Sequence, residues 1–380
     1  MYRNETAHGA QAPSRDTAKP IGNHIGWVDY AKGICILLVV MMHSTLGVGE
    51  AFGEKGLGSH GFMHWVVAYA KPFRMPDFFL LAGLVLSLSI ARDWQGYFDK
   101  KVVHFAYFYL VWVAIQAPIK TAATSGLSVE GLVTQFLDAL VNPYPTLWFI
   151  YVLPLFFVAA KLLRPVPAWL QLAAAAALKI APVHTGWSAI DHFAAPYLVF
   201  FLAGTLLAPY IFALAAWAAR HTSKSLALIA AWAILNGFLV FTPSPFKASA
   251  TLADLPLVSI ALGGMGALAV VMIASLLAKF DLASALRYCG RNSLAIYVAF
   301  AIPMAFSRVV MLKTGIVTDV GVASAIVWLT ALASPLILHA LVRSSVLRHL
   351  FVRPQWFVLP SFSALQATGM PPILSGSSKA

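Results

Sequence analysis

The sequence predicts an all-α membrane protein, about ten transmembrane helices in one bundle, and three observations carry that expectation. Hydrophobic residues make up 60% of the 380 and charged residues only 11%, where a soluble domain carries about a quarter charged. The mean hydropathy is +0.79. Apolar stretches long enough to cross a bilayer recur along the chain, separated by shorter polar segments.

Residues 1–24 are polar and contain no apolar core of a leader, so they do not read as a signal peptide, and a disordered cytosolic tail is expected there. Apolar stretches then fall at 29–48, 75–92, 102–120, 146–163, 168–182, 194–216, 225–242, 255–278, 293–312 and 318–342. The fifth is short for a bilayer and suits a tilted or half-buried segment. A transmembrane domain is expected over 25–345, and a cytosolic C-terminal tail over 346–380. An even number of spans puts both termini on one side, and Lys and Arg choose which. With the N-terminus inside, 17 of the 26 lie on inner segments and 8 on outer ones, while Lys32 lies within the first span. The protein is therefore expected as a multi-pass protein of the cell's inner (plasma) membrane with both termini cytoplasmic. The net charge of +12 reads as loop composition, not as a nucleic-acid surface. Cys35 and Cys289 offer neither a disulfide framework nor metal-ligand spacing, and two buried, inert thiols are expected.

The first span carries the chemistry. In residues 27–49, WVDYAKGICILLVVMMHSTLGVG, Asp29 and Lys32 stand near one end and His43 nearer the other, in otherwise apolar sequence. Eleven residues against a period of 3.6 place Lys32 and His43 on one helix face, roughly 16 Å apart along the axis. Ionisable groups inside a span are costly, roughly 2.5–3.5 kcal/mol for Lys at mid-membrane, and read as functional by default. The residues alone leave a plainer alternative open: Lys32 as an interfacial anchor and His43 as a hydrogen-bonded packing residue.

Farther on, residues 49–74 form an expected outer segment with His60 and His64 at i and i+4. That spacing suits a metal, yet no third ligand is near in sequence, so no metal is expected. Residues 62–70 suit an interfacial helix, since Trp and Tyr favour that zone. Arg74 and Asp77, at i and i+3, open the second span and can face the same way, as an anchoring ion pair or as part of a site. Trp148 and Tyr151 begin the fourth span, as cavity lining or as an aromatic belt. Asn292 and Ser293 open the ninth and read as N-caps. In residues 184–192, HTGWSAIDH, Trp187 could stack on a sugar while Asp191 or His192 bonds its hydroxyls.

Several of these stretches share a resemblance. D-Y-A-K-G-I with V-V-M-M-H-S, R-M-P-D-F-F-L-L-A-G at 74–83, P-T-L-W-F-I-Y at 145–151 and Y-C-G-R-N-S-L-A-I-Y-V-A-F at 288–300 resemble the motifs of integral-membrane acyltransferase family 3. These are the O- and N-acyltransferases that decorate envelope glycans. Lys32 holds a place where most members have Arg, Ala82 replaces a common Ser, Asp77 stands where many have an apolar residue, and Phe300 occupies the place of a usual His. The M-P-D-F-F wording leans toward the subgroup that includes periplasmic glucan succinyltransferases.

The resemblance implies transfer of a short acyl group, acetyl or succinyl, from cytosolic acyl-CoA to a hydroxyl of an envelope glycan or its lipid-linked precursor, with no bound cofactor. His43 would be the general base, or carry the acyl group covalently. Arg74 would stabilise the oxyanion or pair with Asp77. Lys32, with Asp29 beside it, would hold the donor, and Trp148, Tyr151, Asn292, Ser293 and Tyr297 would bind substrate. The rival class is a carrier or flippase of a glycan, lipid or organic acid. Carriers often show inverted repeats and broken helices, and neither is evident in the sequence.

Overall fold

Long apolar runs leave the backbone no partner but itself, so in lipid they must close their hydrogen bonds within helices. The computed structural model describes residues 25–359 apart from 125, 127, 182, 183, 247 and 248. Both the expected tail 1–24 and positions 360–380 lie outside them. In order come α1 (Gly26–Gly53), α2 (Phe62–Ser87) and α3 (Trp94–Phe98), then a π-helical turn, Asp99–Val103, that leads into α4 (His104–Thr124). Next are α5 (Val129–Val141), α6 (Trp148–Leu162), α7 (Ala168–Ile180), α8 (Leu198–Leu206), α9 (Ala208–Arg220) and α10 (Thr222–Phe241). The order ends with α11 (Pro256–Lys279), α12 (Ser284–Arg291), α13 (Ser293–Ala299), α14 (Ala301–Thr314) and α15 (Val320–Leu341). Among the described residues the only β-pairing is an isolated bridge between Pro243 and Thr251. The all-α class holds.

Every expected apolar stretch is helical, but not every one is a regular span. Five stretches are long and apolar enough to cross a membrane: α1, Trp94–Ala122, α10, α11 and Val320–Ser344. The number rises to seven if α8 with α9, bent by 76°, and α13 with α14, bent by 51°, each count as one. α6 and α7 are apolar but shorter, at 15 and 13 residues. α2 has 26 residues, yet Lys71, Arg74 and Asp77 interrupt its apolar character.

Three expectations about local structure change. First, two helices are broken, at Leu207 and Phe300. Pro209 and Pro303 sit in the first turn after each break, where a missing N–H costs least. Second, residues 62–70 are not a separate interfacial helix but the opening turns of α2. Pro72 and Pro76 thus lie inside α2 rather than at its start, and the Arg74 side chain folds back along the helix, donating from Nη1 to the Val67 carbonyl at 3.4 Å. Third, residues 346–359 are docked on the bundle: Tyr107 Oη donates to the His349 carbonyl at 2.8 Å and Trp112 Nε1 to that of Leu350 at 3.0 Å.

α1 lies at the centre, touching α2, α11, α12, α13 and α15. Its contact with α12 depends on missing side chains, because a Cβ at Gly290 would meet the Asp29 carbonyl and one at Gly33 that of Leu286. α2 and α8 interlock reciprocally, Gly83 lying against the Phe201 carbonyl and Gly204 against the Leu80 carbonyl. Such small-residue contacts let backbones approach where lipid supplies no hydrophobic drive. Gly83→Val should therefore lower stability by roughly 2 kcal/mol or more. Gly264→Ala, whose added Cβ meets open space, should leave it unchanged. Thermal unfolding of the two variants in detergent would show the difference.

Candidate functional site: two cavities along the central helix

The stripe that runs Lys32, Cys35, Val39, Met42 and His43 on α1 faces two cavities lying one beyond the other. The first, about 210 Å³, is lined by Lys32, Cys35, Phe78, Lys101, Phe105, Phe149, Phe157, Ser293 and Tyr297 among others. The second, about 170 Å³, is lined by Val39, Met42, His43, Arg74, Met75, Phe78, Trp148, Phe149, Tyr197 and Tyr297. Phe78, Phe149 and Tyr297 line both, so these three rings form the partition. Phe78 meets Phe149 edge-on at 4.3 Å and Phe149 meets Tyr297 at 5.8 Å. The partition is pinned where α6 begins, as the Phe149 amide donates to Tyr297 Oη at 3.1 Å.

In the second cavity His43 has no protein hydrogen-bond partner among the described residues. Its ring packs 5.3 Å from that of Phe300, the position where the resemblance has its second His. An imidazole–phenyl contact stands here in place of a pair of imidazoles. Arg74 is buried, and its Nε has no partner among the described residues. Trp148 stacks on Phe193 at 4.6 Å and on Tyr197 at 5.8 Å. The cavity thus joins one unpartnered imidazole, one guanidinium with spare donors and an aromatic wall.

Of the two readings of Arg74 and Asp77, the ion pair does not form among the described residues. One helical turn separates them, but Asp77 is fully buried against α1, where Cys35 Sγ donates to its Oδ2 at 2.8 Å and Oδ1 is unpartnered. Asp77 lines neither cavity. Asp29 is buried and held by Arg291, Nε to Oδ2 at 3.0 Å, so it ties α1 to α12 near the Lys32 end. Tyr151 turns away too, its hydroxyl donating to the Leu140 and Val141 carbonyls at 3.0 Å.

Asn292 stands at the N-cap position of α13 without capping it; its side chain donates back to the Tyr288 carbonyl at 2.9 Å. Ser293 and Tyr297 line the first cavity, Tyr297 both. Lys32, His43, Arg74, Trp148, Ser293 and Tyr297 are thus brought together along the cavities. Asp29, Asp77, Tyr151 and Asn292 are not among the lining residues.

Two lining residues went unassigned in the sequence. Lys101 points into the first cavity, its ammonium 5.2 Å above the Phe157 ring; its only sequence signal was a place in a Lys pair just before an apolar run. Tyr197 stacks on Phe79 at 5.2 Å, a placement no local pattern announces. Elsewhere, His60 and His64 lie 5.0 Å apart, with Nδ1 of His64 accepting from the Gly61 amide at 3.1 Å. The segment around Trp187 engages several of its polar groups in hydrogen bonds within itself and to the end of α5. Trp187 Nε1 donates to the Val141 carbonyl at 2.6 Å. The Thr185 hydroxyl and amide, with the Gly186 amide, hold the Asp191 carboxyl below its usual range.

Comparison with known proteins agrees with this architecture. The profile of a family described as an acyltransferase domain matches residues 25–342. The chain is similar to the inner membrane protein YcfT of Escherichia coli strain K12, with 26% identity over 153 residues, 36% of this chain and 43% of that protein. The match thus spans less than half the length of that relative. No solved structure matches. A profile match covering residues 25–342, over the helices that build both cavities, shows that the chain is a multi-pass membrane protein of the acyltransferase family its motifs resemble.

Proposed function

We infer that the chain transfers a short acyl group from acyl-CoA, entering the Lys32 cavity from the cytosol, to a hydroxyl presented in the His43 cavity. The observation that carries this reading is the pair of cavities in series, cationic at one end and imidazole-bearing at the other. In an inner membrane with both termini cytoplasmic, the first cavity faces the cytosol and the second the outer side. Lys32 and Lys101 suit the anionic end of the donor, while the apolar walls of Phe105 and Phe157 suit its slender arm. Trp148 and Tyr197 offer aromatic faces to a saccharide acceptor, an envelope glycan or its lipid-linked precursor.

The chemistry follows from what each group can do. Nε2 or Nδ1 of neutral His43 takes the acceptor hydroxyl proton as its oxygen bonds to the thioester carbonyl carbon. Arg74 stabilises the oxyanion that develops. Collapse breaks the C–S bond, and the imidazolium returns its proton to the departing thiolate. The products are the acylated glycan and free CoA. A covalent acyl-His43 intermediate is the second route to the same products. Asp77, held at Cys35, takes no part in these steps and serves the α1–α2 contact. The resemblance leans to succinyl over acetyl as the group moved.

The two broken helices favour a second reading, a carrier, because discontinuous helices commonly frame transport sites. Sidedness separates the two. In sealed vesicles of known orientation, acyl-CoA supplied only on the cytosolic face should modify acceptor confined to the opposite face, with CoA released on the cytosolic side and no net movement of glycan. Substrate movement without CoA release would instead establish the carrier.

His43→Ala should lower acyl transfer by about 10²–10⁴-fold with membrane insertion unchanged; retention of near wild-type turnover in purified protein would remove both catalytic roles. Lys32→Ala should raise the KM for acyl-CoA, and Lys32→Arg should keep most of the function because the charge stays in place. Calorimetric titration of acyl-CoA reads this directly, and equal affinities for wild type and Lys32→Ala would sink the donor role.

A further inference from the structure

The feature that the acyl-transfer steps leave unused is the segment 346–359 and its grip on one turn. Arg353 Nη2 pairs with Asp99 Oδ2 at 2.6 Å, with both side chains buried. Arg353 Nη1 donates to the Asp99 carbonyl at 2.9 Å, and the Leu359 amide donates to Oδ1 at 2.9 Å. Both carboxylate oxygens and the backbone carbonyl of one residue are thus held by a segment some 250 positions away in the chain. Two more bonds fix that segment to α4, from Tyr107 and Trp112.

Asp99 is the first residue of the π-helical turn Asp99–Val103, whose closing bond runs from the His104 amide to the Asp99 carbonyl. A π-turn inserts one residue into an α-helical path, and each residue is worth about 100° of rotation. The turn therefore sets which way its side chains face. Lys101 lies inside it and points into the first cavity. Lys32 lines the same cavity and Lys100 adjoins Lys101 in the turn, so like charges stand beside the ammonium. A cation turned inward beside other cations on a non-α turn calls for a restraint on that turn. The bidentate hold on Asp99 is the restraint available.

We propose that Arg353 is a positioning residue for the donor cavity: by clamping Asp99 it keeps the π-turn in the register that aims Lys101 at the anionic end of the donor. This rests on the acyl-CoA reading above. Arg353 touches no substrate and acts only through Asp99 and Lys101. Loss of the clamp lets the turn relax to α-helical bonding and swings Lys101 out of the cavity. The effect belongs to donor binding and leaves the chemistry at His43 alone.

The test is a double-mutant cycle on the full-length protein in detergent, with acyl-CoA as the calorimetric titrant and acyl transfer as the second readout. Arg353→Ala should raise the donor Kd and KM by about tenfold, the loss of one charged contact, with kcat within about twofold of wild type. Lys101→Ala should do the same, and the double variant should be no worse than either alone. Arg353→Lys, which keeps the charge but not the fork, should recover part of the affinity. Asp99→Asn gives the cycle a second entrance should Arg353→Ala fail to insert. Additive losses in the double variant, or an unchanged Kd in folded Arg353→Ala and Asp99→Asn, would overturn the proposal while leaving acyl-CoA as the donor. Absence of acyl-CoA binding by the wild type would overturn the parent reading and this inference with it.

Discussion

Hydrocarbon tolerates no unpaired charge, and that constraint organises the molecule. α1 and α2 carry Asp29, Lys32, His43, Lys71, Arg74 and Asp77 within or beside long apolar runs. A helix face bearing such groups cannot meet lipid without a cost of kcal/mol each. α1 is accordingly walled in by α2, α11, α12, α13 and α15. Two of its charged positions then take different solutions. Asp29 is neutralised by Arg291, whereas Lys32 is left on the wall of a cavity. The site is built from the charged side chains that are left on cavity walls, Lys32 and Lys101 on the first and Arg74 on the second.

Close approach makes the enclosure possible. Gly33 and Gly290 bring α12 against the start of α1, and Gly83 with Gly204 brings α8 against α2. The second contact matters for the chemistry because α2 carries Arg74 and Phe78 while the chain just before α8 carries Tyr197. The broken pair α13 and α14 adds the rest. α13 supplies Ser293 and Tyr297, and the break itself places the fully buried Phe300 ring beside His43. A phenyl ring there can shape the cavity but cannot accept or donate a proton, so His43 is the one imidazole lining it.

Much of this was legible in the sequence because its signals are local. Apolar run length gave the helices of the ten expected stretches but not α3, α5 or α12, and the eleven-residue spacing put Lys32 and His43 on one face. What was not legible depends on partners far away in the chain. The i, i+3 spacing of Arg74 and Asp77 allowed an ion pair, but Cys35 from α1 claims the carboxylate. Tyr151 sits one turn from Trp148 and looked equivalent, yet carbonyls at the end of α5 draw its hydroxyl elsewhere. Lys101 read as one more loop charge because a π-turn shifts its facing without any compositional mark. The breaks at Leu207 and Phe300 have prolines two or three residues beyond them, a weak cue among 22 prolines.

The ring partition of Phe78, Phe149 and Tyr297 has a consequence for the membrane as a whole. Two cavities that nearly meet are a hazard in a bilayer that stores energy as an ion gradient. Moving one elementary charge across such a membrane is worth about 2.3 kcal/mol per 100 mV, and a continuous file of water would dissipate it. Phe78, Phe149 and Tyr297, one of them pinned by a backbone amide, stand where such a file would have to pass between the Lys32 and His43 chambers. Under the acyl-transfer reading the same three rings answer to two opposed demands, to let a thioester through to His43 and to hold ions back.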